Sequence, residues 1–259
     1  MLIALTRPVS ASLADCQLTF HERLPIDVAR ARGQHDDYRR TLAGLGAHVV
    51  SLPPLDRCPD AVFVEDAAIV LDELAVIARP GSASRRDETP SVAEALAVHR
   101  PLAAIEPPAT LDGGDVLRMG RDLLVGLSTR TNRDGAARLR ALAEPFGYRL
   151  TTIRVSRCLH LKSALGRLDD HTLLVDSQAV ELPADLPFDV VPIPRDLPAF
   201  ADVLAIAGLV LVPAGFPEVS ALLEARGFHT RTLDISELLK AEAGLTCMSL
   251  LFDGQPANA

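Results

Sequence analysis

No long cluster of lysines and arginines occurs in this chain; 26 basic residues are spread along it, with no run longer than a pair, against 34 acidic ones, and the formal net charge is −8. A surface without a basic patch cannot neutralise a row of phosphates, so nucleic acid is excluded as the expected partner. Long apolar runs are missing too. The longest, residues 204–216, is broken by glycine and proline and falls short of the roughly 20 residues that a membrane helix needs. The four cysteines (Cys16, Cys58, Cys158, Cys247) form neither CxxC pairs nor a dense framework, as in a reducing compartment, so the cytoplasm is the expected location. Cys158 and His160 lack the further ligands at recognised spacing that a structural zinc would require, and there is no P-loop or GxGxxG, so no metal and no cofactor are expected. Only four apolar residues follow Met1, with no basic region before them; the segment reads as a first strand and not as a signal peptide. No Pro- or Ser-rich linker divides the chain. Residues 1–252 therefore read as one domain, and the polar residues 253–259 as a tail expected to fray.

What is present is a repeat. Runs rich in Val, Ile and Leu at residues 67–71 and 74–79 flank Asp72 and Glu73, runs at 116–119 and 123–125 flank residues 120–122, and a run at 173–176 follows Asp169, Asp170 and His171. Each pattern predicts a hairpin. Helices are predicted after the first two: Thr89 as cap before Pro90, with Val92, Ala93, Leu96 and Ala97 on one face, and Asn132 before residues 135–146, ending at Gly147. Single strands then close each unit at 103–106 and 150–155. The turn midpoints Asp72, Arg121 and Asp170 lie 49 residues apart. Strands that follow helices recur at 48–52, 103–106, 150–155, 188–193 and 229–233, which makes five units of strand, strand, helix and strand. Units that cannot bury their own faces must stack on neighbours. Periodicity alone leaves two architectures open, a closed ring of five blades and an ordinary α/β sandwich with evenly spaced turns.

In a ring, a site on the axis draws a polar residue from the same phase of each unit. Glu65 and Asp66 precede the second unit's hairpin, Asp112 to Asp115 the third's, His160 the fourth's, and Cys247 the closing strand at 249–252. Steps of 47 and 48 residues separate Glu65, Asp112 and His160, and 87, about two units, separate His160 from Cys247. Each residue has an ordinary reading as well. Cys247 beside Met248 suits a small core hydrophobe, His160 between two leucines a satisfied core histidine, Asp112-Gly113-Gly114-Asp115 a tight turn whose glycines relieve positive φ, and Glu65-Asp66 a solvated loop. Their common phase is what the ordinary readings do not require. Cys158 is expected to pack.

The motifs Cys58-Pro-Asp60-Ala-Val-Phe63-Val-Glu65-Asp66, Arg79-Pro-Gly81 with Ser84-Arg85-Arg86 and Glu88-Thr89, Leu111-Asp112-Gly-Gly-Asp115, Arg130-Thr-Asn132, Leu159-His160-Leu-Lys162-Ser163 and Leu245-Thr-Cys247-Met-Ser249 resemble, in order and spacing over nearly the whole chain, the dimethylarginine dimethylaminohydrolase family of the guanidino-group-modifying superfamily. The resemblance implies a five-bladed β/α propeller and decides between the two architectures. It also implies Cys247 as nucleophile, His160 as general acid and base, and Asp112 as the acid that orients His160. Asp60, Arg85 and Arg130 would surround the amino-acid head of the substrate, Phe63 would line the pocket, and Glu65 and Asp66 would lie near the guanidinium. Leu18 and Ala241 would offer backbone carbonyls to the α-amino group. The loop at 15–27 matches poorly.

The expected reaction is hydrolysis of an N-methylated arginine to citrulline and a methylamine through a covalent Cys thiouronium. A guanidinium carbon is a poor electrophile until carboxylates hold it beside a strong nucleophile, and a bound cation favours the thiolate. The expected partner is a small cationic amino acid, with no membrane partner, and the protein a monomer or homodimer. Alternatives are a deiminase acting on free arginine or another guanidino compound, and a silent arginine-binding protein.

Overall fold

The computed structural model describes residues 1–197 and 200–254 and folds the repeat into five three-stranded sheets. In chain order, β1 (Leu2–Thr6), α1 (Val28–Gly44) and β2 (His48–Ser51) open the ring. A hairpin, helix and strand follow twice: β3 (Ala68–Val70), β4 (Ala75–Ile77), α2 (Thr89–Ala97) and β5 (Leu102–Ala104), then β6 (Val116–Met119), β7 (Asp122–Leu127), α3 (Arg133–Ala143) and β8 (Arg149–Arg154). After the single turn α4 (Leu161–Ala164) come β9 (Leu165–Arg167), β10 (Thr172–Val175) and β11 (Asp189–Pro192). The fifth unit has β12 (Leu204–Ile206), β13 (Leu209–Pro213), α5 (Pro217–Glu224) and β14 (Thr230–Leu233); α6 (Ser236–Leu239) and β15 (Leu250–Asp253) complete the order. In every sheet an inner strand pairs antiparallel with a middle strand, which pairs parallel with an outer one. The last strand among the described residues, β15, is the inner strand of the sheet that contains β1.

The apolar runs have to be buried on both faces, and the ring does this between neighbours. Five hydrophobic clusters form, one at each boundary. Ile3 and Leu5 of β1 meet Ala75, Val92 and Leu96 of the next unit; Val76 meets Leu123, Val125 and Leu139; Leu117 and Leu124 meet Leu165 and Leu173; Leu174 and Val191 meet Val210, Val212 and Val219; and Leu211 returns to Ala4, Tyr38 and Leu42. No blade owns a core, so each depends on both neighbours.

The inner strands β3, β6, β9, β12 and β15 line an axial cavity of about 520 Å³, with Glu65, Lys162 and Thr246 among its lining residues. The segments immediately before these strands cluster about the axis and carry the residues of interest.

Three details depart from the sequence reading. Thr89 does not cap α2: the chain enters from a 3-10 turn, Ala83–Glu88, Thr89 is already helical, and its Oγ1 donates to the Arg86 carbonyl at 3.0 Å. The fourth unit has no helix between β10 and β11, where Pro183 and Pro187 remove donors and clash with a helical path. Asp253 pairs with Leu2 and belongs to β15 instead of the tail; residues 255–259 of that expected tail lie outside the described residues. By contrast Asn132 caps α3 as expected, accepting from Gly135 N at 2.8 Å, and Gly147 takes φ 80° past its end. No helix among the described residues is long and apolar enough to cross a membrane.

Candidate active site

The motif 112–115 forms a 3-10 turn ahead of β6, and its glycines have a different purpose from the one its sequence suggests. Neither Gly113 nor Gly114 has positive φ. They are there because backbones and rings pass too close: a Cβ on Gly113 would strike the Glu65 carbonyl, and one on Gly114 would lie 2.6 Å from His160 Nδ1 and 2.7 Å from Asp66 Oδ1. This packing lets three units converge. Gly114 N donates to Asp66 Oδ1 at 3.0 Å, Leu161 N donates to Asp115 Oδ1 at 2.9 Å, and Asp112 Oδ1 accepts from Gly81 N at 2.8 Å instead of closing its own turn.

His160, buried on the segment before β9, stands between two carboxylates. Its Nε2 is 3.1 Å from Asp112 Oδ2, and its Nδ1 is 3.7 Å from Asp66 Oδ1. Burial alone would lower the imidazole pKa, but the Asp66 charge, the Asp112 hydrogen bond and Asp115 outweigh it and raise the pKa to about 9. His160 is therefore an imidazolium at neutral pH, a state suited to giving a proton. These three residues place donor atoms within 4.8 Å of one another, yet a metal would have to displace the proton that the carboxylates stabilise.

Asp66 also holds Arg85 through Oδ2, and its pKa is lowered: His160 and Arg85 overcome the burial that would raise it. Arg85 is itself buried and engaged. Its Nε and Nη2 donate to Glu88, and Nη2 also to the carbonyls of Phe63 and Asp60. Arg130 is held more loosely, by Gln17 Oε1 at 3.3 Å and Thr19 Oγ1 at 3.4 Å. Asp60 accepts Gln17 N through both oxygens at 3.2 and 3.3 Å.

Cys247 lies on a 3-10 turn, Thr246–Met248, just before β15. Its Sγ accepts from Gly244 N at 3.3 Å and is 3.5 Å from Asp202 Oδ2. Burial raises the thiol pKa well above its ordinary value, with Asp202, Glu65 and Asp66 adding to it. Glu65 is fixed by Lys162 Nζ at 2.5 Å and Thr246 Oγ1 at 2.8 Å; burial raises its pKa, partly offset by Lys162.

A second, smaller cavity, about 20 Å³, is lined by Asp60, Phe63, Asp66, Arg85, Arg130, His160, Ala241 and Cys247, together with Gln17, Leu159, Glu242 and Ala243. Most residues singled out in the sequence thus face one space. Asp112 stands behind His160, fully buried, and Glu65 lines the larger axial cavity and is not in the lining of this one. Leu18 is not in the lining; its side chain packs into the cluster around Leu13, while its neighbour Gln17 faces the cavity. Cys158 packs, as expected, in the cluster around Leu161. The sequence reading missed Asp202 and Glu242. Asp202 fills the fifth axial phase, two residues before β12, in the double step left between His160 and Cys247. Glu242, at φ 58°, receives Thr19 N, Phe20 N and His21 N on one oxygen at 2.8, 2.5 and 2.6 Å, tying down the loop over the cavity.

No protein-family model matches the chain. An N(G),N(G)-dimethylarginine dimethylaminohydrolase of Streptomyces coelicolor is 39% identical over 95% of both chains, and one of Pseudomonas aeruginosa is 34% identical over 96% of this chain and 98% of its own. A solved Pseudomonas aeruginosa structure, a cysteine-to-serine variant complexed with citrulline, superposes with TM-score 0.90 at 33% identity, covering 96% of this chain and 98% of the other. A cyanobacterial arginine dihydrolase domain, 18% identical at TM-score 0.85, shares the fold. Five blades around an axis that bears a cysteine, a histidine and carboxylates define a guanidino-group-modifying propeller. Within that class, the chain belongs to the dimethylarginine dimethylaminohydrolase family.

Proposed function

We propose that this protein hydrolyses N-methylated arginine to citrulline and a methylamine through a thiouronium on Cys247. The observation that carries the reading is the convergence of Cys247, His160 and Asp66 on one cavity, with Asp112 behind the imidazole, in a chain 39% identical to a dimethylarginine dimethylaminohydrolase.

The charges already in place describe the reaction. Without substrate, the cup holds anionic carboxylates, a protonated imidazole and a neutral thiol. A guanidinium cation supplies the charge that makes thiolate favourable, and the thiol proton departs to solvent as it binds. Sγ then forms a bond to the guanidinium carbon. His160 passes the proton on Nδ1 to the methylated nitrogen, the C–N bond breaks, and the amine leaves a cationic thiouronium. The now neutral imidazole takes a proton from water as the water oxygen attacks the same carbon; the C–S bond breaks and citrulline departs. Asp112 keeps Nε2 protonated throughout, so Nδ1 is the atom that exchanges protons. Arg130, whose present partners are neutral side chains, meets the substrate carboxylate, with Arg85 beside it and Asp60 and the carbonyls of Leu18 and Ala241 at the α-amino group. A small cationic amino acid is the partner, and the cytoplasm is the compartment that its free cysteines suit.

Formation of the ureido product should be measured for arginine, monomethylarginine and asymmetric dimethylarginine, which give citrulline, and for agmatine, which gives N-carbamoylputrescine, with Cys247→Ser as the inactive control. Methylated arginines should exceed arginine in kcat/KM by about tenfold or more, a margin one or two pocket contacts can supply. A preference for free arginine would make the protein a deiminase, and citrulline formation by the serine variant at the native rate would remove the nucleophile.

A further inference from the structure

Each inner strand is preceded by a polar residue at the axis, and four of the five positions enter the reaction above. The fifth is Asp202, 3% exposed, ahead of β12. Thr246 N donates to its Oδ1 at 2.9 Å, which fixes the carboxylate, and the Cys247 thiol donates to its Oδ2 at 3.5 Å. A side chain on Gly244 would collide with this carboxyl, so the loop before Cys247 is shaped to let Asp202 reach the sulfur. Among the described residues several ionisable groups surround Cys247: Glu65 and Asp66 from the turn before β3, Tyr38 from α1, and His160, Asp60, Arg85, Arg130 and Glu242 around the cavity. Lys162, from α4, holds Glu65 and faces Asp202 as well. Among the ionisable side chains of the described residues, Asp202 is the one that hydrogen-bonds the thiol.

We propose that Asp202 is a positioning residue that holds the nucleophile of the unliganded protein as a neutral thiol directed onto the axis, and releases it when a cation arrives. This rests on Cys247 being the nucleophile of methylarginine hydrolysis. A carboxylate that accepts from S–H stabilises the protonated sulfur and opposes thiolate by charge. When the guanidinium binds, its positive charge offsets the carboxylates, the S–H bond to Asp202 is given up, and the proton goes to solvent. The device leaves the free enzyme unreactive toward stray electrophiles and couples ionisation of the sulfur to occupancy of the site. The direction of the pKa shifts agrees: burial and then Asp202 raise Cys247, and burial raises Asp202 itself, offset by Thr246 N.

The test is alkylation of Cys247 by iodoacetamide without substrate, followed from pH 6 to 10 by mass spectrometry of the Cys247 peptide, in the wild type, Asp202→Asn and Asp202→Ser. The asparagine variant keeps an acceptor for Thr246 N but has no charge. Its alkylation midpoint should fall by at least about one unit, so that the rate at neutral pH rises roughly tenfold or more. Melting curves confirm folding, and the serine variant serves if asparagine is not tolerated. Folded variants with the wild-type profile would overturn the proposal. A wild-type midpoint at or below about 8.5, the ordinary thiol value, would overturn it without any variant. Because alkylation needs no substrate, a shifted profile in a protein that releases no citrulline would retain Asp202 and discard the methylarginine reading.

Discussion

His160 Nε2 and Asp112 Oδ2 are 3.1 Å apart although 48 residues, one full repeat, separate them in sequence. Asp112 Oδ1 accepts from Gly81 N at 2.8 Å, and the Asp112 backbone N–H donates to Thr131 Oγ1 at 3.1 Å, so both the carboxylate and the backbone that carries it are held independently of the histidine. Asp112→Asn keeps the shape and removes the charge. The imidazole pKa then falls and the wrong ring nitrogen can carry the proton. The expected loss in kcat is about a hundredfold or more, the scale of general acid–base catalysis, and the alkaline limb of the kcat profile moves to lower pH. A citrulline assay across pH on the folded variant checks both; an unchanged alkaline limb would detach Asp112 from the proton transfer.

The raised His160 pKa also makes a stability prediction. The proton is bound more tightly in the folded chain, at about 9 against an ordinary 6.5, so its stabilisation is fully present below pH 6.5 and is lost as pH rises through 9. The shift corresponds to roughly 3 kcal/mol. Thermal melts of wild type and His160→Gln should differ most near pH 6, and the gap should shrink by roughly 5 to 10 °C by pH 10. A gap independent of pH would mean the imidazole is neutral in the folded protein.

Arg130 and Arg85 should separate by what their loss does. Arg130→Ala removes a cation whose partners are neutral, and kcat/KM for methylarginine should drop between about tenfold and a thousandfold, while agmatine, which has no carboxylate, changes much less. Arg85→Ala strands Asp66 and Glu88 without their shared cation and should cost about 3 to 5 kcal/mol of stability, affecting both substrates. Equal losses on both substrates for folded Arg130→Ala would require a different orientation of the substrate.

Glu242 gathers three successive backbone N–H groups of the loop at 19–21 onto one oxygen, and the cavity that Glu242 and Gln17 help to line, about 20 Å³, has room for about a single water. The expectation is that substrate enters as the segment carrying Gln17, which Glu242 restrains through residues 19–21, moves aside. Glu242→Ala should make the loop the first site of limited proteolysis, with kcat and KM changing together, as for other lid residues. Proteolysis that begins elsewhere at the wild-type rate would show that other contacts hold the loop.

The five units were legible because a repeat of 49 residues leaves its mark in turn positions, and because axial residues before β3, β6, β9 and β15 share a phase with it; that the units close into a ring came from the family motifs and not from the period. Asp202 was not found because the step from His160 to Cys247 spans two units without a candidate between them, and an aspartate between Ala201 and Val203 has no local signature. The proline-bearing loop of the fourth unit broke the helix pattern without breaking the ring, since parallel pairing of β10 and β11 needs only a crossover of sufficient length. Gly113 and Gly114 look like a turn in sequence because close approach by other segments cannot be seen one segment at a time. Glu242 was hidden for a related reason: the loop it restrains is more than 220 residues away.

Pairing of β15 with β1 joins strands some 250 residues apart, so that β1 is made long before its partner. Chains emerge at about 5 to 20 residues per second, so the acidic cup and its histidine can be assembled for several seconds before Cys247 is translated. Met248 belongs to the cluster between the fifth and first units, and Leu250 and Phe252 to the next one. The segment that supplies the sulfur therefore also completes two of the five hydrophobic clusters. Nascent chains paused before Cys247 should lack both activity and closure, and gain the two together on release.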